Sequence, residues 1–168
     1  MSDISAEILK LDARFRQATG RLPIVLGNEA INFVLDNFQM QGFMGNTFEK
    51  WLPRKQGWKK DKRTGRNILI DKGRLRRSWR IAGTSRDYVS IGTDVKYARA
   101  HNEGVRLGVI QSVQSYTRRN NQNVKAHTRR IDMRIPQRKM IGDSPYLRAR
   151  LIRAARLMYM KEIRYLKP

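Results

Sequence analysis

Two similar seven-residue segments on either side of an asparagine-rich run constrain this chain more than anything else in it. Residues 113–119 read VQSYTRR and residues 124–130 read VKAHTRR, with Asn120, Asn121, Gln122 and Asn123 between them. A stacked repeat fold needs three or more units to bury a continuous core, so two copies do not make a solenoid. Two similar arms around an Asn-rich turn instead predict a long β-hairpin over residues 107–135. Alternation agrees: Val109, Gln111, Val113 and Ser115 fall on one face, Ile110, Ser112, Gln114 and Tyr116 on the other, and Ile131, Met133 and Ile135 alternate with polar or charged residues. Neither face of the outer part is apolar enough for a core, and a two-stranded ribbon is marginal alone. The arm is therefore expected to project and to be held by a neighbouring subunit or another protein. The basic pairs Arg118 with Arg119 and Arg129 with Arg130 are expected near its tip, as a contact surface.

Helical periodicity flanks this arm. Ile4, Ile8, Leu11 and Phe15 form one apolar stripe over residues 3–19 that stops at Gly20. Pro23 then predicts a break and a second helix running to about Gln41, with Ala30, Ile31, Val34 and Phe38 inward, Phe33 alongside, and Asn28, Glu29, Asn32 and Asp36 outward. At the other end, Gly142-Asp143-Ser144-Pro145 is a strong helix start, with Asp143 or Ser144 as cap and Pro145 in the first turn. That helix is expected over about 143–166, with Leu147, Leu151, Ala154, Ala155 and Met158 inward and arginines over much of the remainder.

Residues 43–67 read as a loop carrying Trp51 and Trp58 among basic residues, with Lys59, Lys60, Lys62 and Arg63 as candidates for an anionic partner, either DNA or an acidic protein surface. One or both of Trp51 and Trp58 are expected to pin this loop to the core rather than to stack on bases. Residues 68–104 then form the organising centre. Ile68, Leu69 and Ile70 predict a strand ending before Gly73, residues 73–79 a short helical turn, and residues 79–82 and 88–92 a hairpin with Val89 and Ile91 on one face. A turn or short helix is expected over 95–102, in which His101 is a hydrogen-bonded residue rather than a base.

Three pieces in this order, L-I-D-x-G-x-L-x-x-S at 69–78, V-x-I-G-T-x-V-x-Y-A-x-x-H-N-x-G at 89–104 and IPQRKMIG at 135–142, resemble the phage virion morphogenesis (tail completion) proteins of Mu-like and P2-like phages. The segment from Trp51 to Arg54 resembles the Trp-containing segment of that family, and the likeness covers roughly residues 24–166. It implies an α+β fold, helices packed on a small, mostly antiparallel sheet with a long projecting β-hairpin and a C-terminal helix. It also implies a structural virion protein at the neck or tail top, made in the host cytoplasm, joining head to tail as a ring of six copies with portal or connector and tail proteins as partners. The basic character of residues 53–66 and the duplicated arms have no counterpart in these motifs.

Charge sets the partners considered. The chain of 168 residues has a formal net charge of +22. Residues 1–49 hold four Lys and Arg against six Asp and Glu, whereas residues 50–80 hold thirteen against two, 117–139 eight against one and 148–168 seven against one. Such blocks face nucleic acid, acidic proteins or the lumen of a DNA-conducting assembly, where phosphate contacts carry no sequence information. A single domain over 1–168 is expected from the length. No apolar run is long enough for a membrane helix, and the first residues do not read as a secretory signal. With no cysteine and two histidines, thiolate chemistry and a metal site are not expected. No glycine-rich phosphate cradle or carboxylate pair points to an enzyme or a cofactor. The alternative to a virion-joining role is a basic nucleic-acid-binding module, though no RNP, KH, zinc-finger or helix-turn-helix pattern is present.

Overall fold

The computed structural model describes residues 2–54 and 67–164. Helix α1 (Ser2–Met40) is one continuous helix of 39 residues, about 58 Å long at 1.5 Å per residue. The expected break at Pro23 does not occur. Proline inside a helix costs roughly 3 kcal/mol through a lost hydrogen bond and a clash with the preceding turn. Tertiary packing offsets that cost, because the C-terminal helix lies across both halves of α1.

Past Gln41, whose φ of 58° turns the chain in the left-handed region, β1 (Gly42–Met44) pairs antiparallel with β2 (Phe48–Lys50). This hairpin replaces the loop expected from residue 43. Gly45 N–H donates to the Thr47 carbonyl to make its turn, and Trp51 N–H donates to the Gln41 carbonyl to close its base. The expected strand over 68–70 is likewise a turn. No strand pairs with it among the described residues; instead the Gln41 side chain takes both backbone groups of Ile68, accepting from its N–H and donating to its carbonyl. Ile70 N–H donates to the Asn67 carbonyl, and Leu69 sits at φ 60°. The apolar side chains that suggested a strand pack against the core as a turn.

Helix α2 (Arg74–Arg77) follows with Leu75 buried. Strands β3 (Arg80–Thr84) and β4 (Val89–Gly92) form the expected hairpin, bulged between Ile81 and Gly83. It packs on α1 at Gly27, where a Cβ would stand 2.8 Å from Val89 Cγ2 and 2.9 Å from Ile81 Cδ1, so only glycine admits this approach without displacement. Helix α3 (Ala98–Glu103) ends at Gly104 with φ 75°. Then come β5 (Val105–Val113), β6 (Tyr116–Thr117), β7 (Asn123–Val124) and β8 (His127–Ile135). Helix α4 (Pro145–Arg164) begins as the sequence indicates: Leu147 N–H donates to Ser144 Oγ, and Pro145 takes the first helical position.

The fold is α+β, with antiparallel strands divided among four two-stranded ladders in the described residues. Helix α4 runs antiparallel along α1. Near the α1 N-terminus Phe15 stacks on Tyr159 at 5.7 Å and Thr19 Oγ1 meets the Tyr159 hydroxyl. Farther along, Arg150 reaches Glu29 at 2.7 Å and Asp36 at 2.5 Å. Glu29 and Asp36 thus face α4 rather than solvent. The main core holds Val34, Phe38, Trp51, Leu75, Val95, Ala98 and Met140. No described helix is long and apolar enough to cross a membrane.

Candidate interaction surface

The projecting arm is a continuous ribbon. Its register runs without a break from Val105↔Ile135 to Val113↔His127, and resumes in the same phase at Tyr116↔Val124 and Thr117↔Asn123. This pairing explains the duplicated segments. Val113 lies opposite His127, which is the counterpart of Tyr116, and Val124, the counterpart of Val113, lies opposite Tyr116. Each valine faces the ring of the other copy, an aromatic and β-branched pairing that stabilises ladders.

The tip is a three-residue loop. Arg118 N–H donates to the Gln122 carbonyl, Asn121 N–H donates to the Arg118 carbonyl, and Asn121 occupies the left-handed region at φ 58°. Asparagine tolerates that conformation better than other non-glycine residues, so the Asn-rich run is chemically suited to the turn. Arg118 and Arg119 stand at the tip as expected. Arg129 and Arg130 do not: they pair with Gln111 and Ile110, seven and eight residues past Gln122 along the return arm, or roughly 23–26 Å at 3.3 Å per residue. Antiparallel pairing is the reason, since the second copy runs away from the turn. Arg129 is also engaged, donating through Nε and Nη2 to Gln111 Oε1 at 2.9 and 2.7 Å. Lys59, Lys60, Lys62 and Arg63, together with Trp58, lie outside the described residues.

Trp51 pins its segment to the core as expected: it is buried, meets Phe38 edge to face at 5.4 Å, and donates from Nε1 to the Lys139 carbonyl at 2.8 Å. It belongs to a larger lock that sequence reasoning missed. Arg138 N–H donates to the His101 carbonyl at 2.7 Å, and Asn102 Oδ1 accepts from the N–H groups of Met140 and Ile141. Asn37, fully buried, donates to the Met140 carbonyl at 3.0 Å and accepts from Met44 N–H at 3.2 Å. The Arg138 guanidinium, also buried, donates to the carbonyls of Leu52 and Pro53 at 3.0 and 3.2 Å. Burial, and then the charge of Arg54, lower its pKa. Residues 138–141 are thereby held mostly by side chains, with one backbone bond from Arg138 N–H to His101. The only sequence signal was the density of amides and tryptophan in otherwise apolar surroundings.

His101 departs from expectation. Its Nδ1 is buried without a hydrogen-bond partner, while its backbone carbonyl accepts from Arg138 N–H. Burial, then the Arg138 charge, hold the imidazole below its usual range. The cleft beside it, about 550 Å³, is lined by residues including Leu69, Asp71, Lys72, Arg74, Tyr97 and Arg138. No group of three or more potential metal ligands occurs among the described residues.

The pieces of sequence that converge on this lock are the Trp51 segment, the His101–Asn102 pair and residues 135–142. A family model described as the phage virion morphogenesis family matches residues 21–156, which contain all of them. The chain belongs to that family. No curated protein and no solved structure matches it. As a member of a phage virion morphogenesis family it has a structural role in the virion, with other virion proteins as partners. The ribbon lies within the matched region, as does most of α4.

Proposed function

We propose that this protein completes the tail or neck and joins head to tail, as a ring subunit of six copies at the neck or tail top. The observation that carries the reading is the ribbon of β5 to β8, which projects from the chain with no other described element packed along it. A two-stranded ribbon of nine directly paired positions is marginal alone and is stabilised by lying on another subunit. A ring requires contacts in which one patch meets a different patch on the next copy. Arg118 and Arg119 at the tip, with Arg129 and Arg130 along the shaft, serve that contact. Lys59, Lys60, Lys62 and Arg63 meet an anionic partner, and basic surface near the lumen lowers phosphate repulsion as DNA passes. The protein works without catalysis, beside portal or connector and tail proteins.

The test is electron microscopy of lysates from the phage carrying an early stop codon in this gene. Separate filled heads and free tails are the expected result; intact joined virions would refute the joining role. The net charge of +22 favours a second reading, a nucleic-acid-binding module. Titrating the isolated monomer with short duplex DNA at several salt concentrations separates the two. Tight, steeply salt-dependent binding by the monomer supports the second reading, and weak binding supports the first.

A further inference from the structure

Arg138 is a buried cation that no described carboxylate pairs with. It is 6% exposed, and the carbonyls of Leu52 and Pro53 accept from its Nε and Nη2. Its Nη1 has no hydrogen-bond partner among the described residues and is not one of the atoms sealed from solvent. The nearby charge that acts on the guanidinium is a second cation, Arg54. Buried charges are ordinarily paired, because taking an ion out of water is costly unless an opposite charge meets it. An anion is the chemical complement of such a group.

Arg138 lines the cleft beside His101, and Arg54, Lys72 and Arg74 add three more cations to its wall against one described acidic group, Asp71. The rest of the wall is largely apolar, from Ile68, Leu69, Leu75 and Tyr97. Leu69 keeps its place there at φ 60°, a backbone conformation that bulky residues rarely adopt and that recurs at ligand clamps. The two kinds of wall together decide the class of anion. A DNA duplex carries its phosphates on a broad convex surface, which meets the exposed Lys72 and Arg74 but not the recessed Arg138, nor Leu75, which is 2% exposed. A carboxylate on a flexible side-chain stem reaches Arg138, and an apolar neighbour in the same segment covers the wall.

We infer that this cleft binds a carboxylate of another virion protein, presented by an acidic residue beside an apolar one, with Arg138 Nη1 as the charge-assisted donor and Lys72 and Arg74 at the rim. Polypeptide partners are those that a virion family supplies. Because the apolar wall takes the neighbouring side chain, the site selects an amphipathic segment rather than negative charge alone. It depends neither on the number of copies in a ring nor on the joining of head to tail.

The probe is the blocked dipeptide acetyl-Leu-Glu-amide, titrated into the full chain with its Gln analogue as the neutral control. The chain has two histidines, so imidazole NMR signals report the cleft through His101 and the ribbon through His127 at once. His101 signals are expected to move saturably and its titration midpoint to rise on binding, because a seated carboxylate favours the imidazolium, while His127 stays unmoved. The Gln analogue is expected to bind about tenfold or more weakly. Lys72→Gln with Arg74→Gln is expected to weaken the acidic probe about threefold or more, whereas Arg153→Gln with Arg156→Gln, the same loss of charge from the exposed face of α4, leaves it unchanged. Arg138→Lys is expected to weaken it about tenfold if the chain keeps its native circular dichroism; if it does not, the rim pair decides. Equal binding of the two probes, an unmoved His101, or rim and α4 variants that behave alike overturn the site. A short DNA duplex that displaces the dipeptide from His101 assigns the cleft to phosphate and overturns the polypeptide occupant. Either failure leaves the joining role to its own test by microscopy.

Discussion

Replacing Asn37 by Ala tests whether the side-chain lock holds the fold. Asn37 is fully buried, and its amide serves two backbone groups far apart in sequence, the Met140 carbonyl and Met44 N–H. The substitution removes both partners at once. Leaving a buried polar group unsatisfied costs about 1–3 kcal/mol, so the expected loss is about 2–5 kcal/mol. Alanine gains roughly half a kcal/mol of helix propensity over asparagine, too little to offset it. For a chain of this size each kcal/mol moves Tm by about 2–4 °C, which places the fall at roughly 4–20 °C. Thermal and urea melts followed by circular dichroism measure it, with Asn32→Ala, exposed on the same helix, expected within about 0.5 kcal/mol of the parent. A Tm for Asn37→Ala within about 2 °C of the parent would show that residues 138–141 are not held through Asn37.

Two glycines of α1 are expected to respond with opposite sign. Gly20 has open space around its Cβ position, so Gly20→Ala should stabilise by about 0.5–1 kcal/mol, whereas Gly27→Leu drives a side chain into Val89 and Ile81 and should cost about 2 kcal/mol or more in the same melts. At the ribbon tip, Asn121→Gly should preserve the turn and Asn121→Val should disorder it, read as lost cross-strand NMR contacts between Thr117 and Asn123; equal behaviour would contradict the left-handed assignment. His101 sets a pH dependence. Its folded pKa lies below the ordinary 6.5, so the unfolded chain takes up the proton first as pH falls. Its contribution is complete above 6.5 and declines as pH falls from there toward the folded value. His101→Gln should flatten the stability profile below 6.5, and an unchanged slope would refute the burial argument.

Much of this was legible in the chain itself. The Ser144–Pro145 start of α4, the β3–β4 hairpin and the long arm each follow from local chemistry: a hydroxyl that caps, a proline placed where no donor is needed, and period-two alternation around an asparagine turn. The family, too, was legible, because the motif residues that carry it lie in order along the sequence. Placement along the ribbon was not. Two similar arms invited the reading that both arginine pairs sit at the tip, yet antiparallel pairing sends the second pair down the shaft.

The sequence by itself determined the start of α4, the β3–β4 hairpin and the long arm, because caps, turn residues and alternation act within a few positions of one another. Tertiary structure alone decided the continuity of α1 through Pro23, since the packing that offsets the proline comes from α4, more than a hundred residues away. It alone made a turn of Ile68, Leu69 and Ile70, because a strand needs a backbone partner and Gln41 supplied a side chain instead. It alone assembled Asn37, Trp51, Asn102 and Arg138 around residues 138–141, since hydrogen bonds between distant groups leave no periodic trace in a sequence. Finally, it placed the apolar residues of β5 and β8 on one common face, because the face a residue shares is fixed by its cross-strand partner and not by its neighbours in the chain.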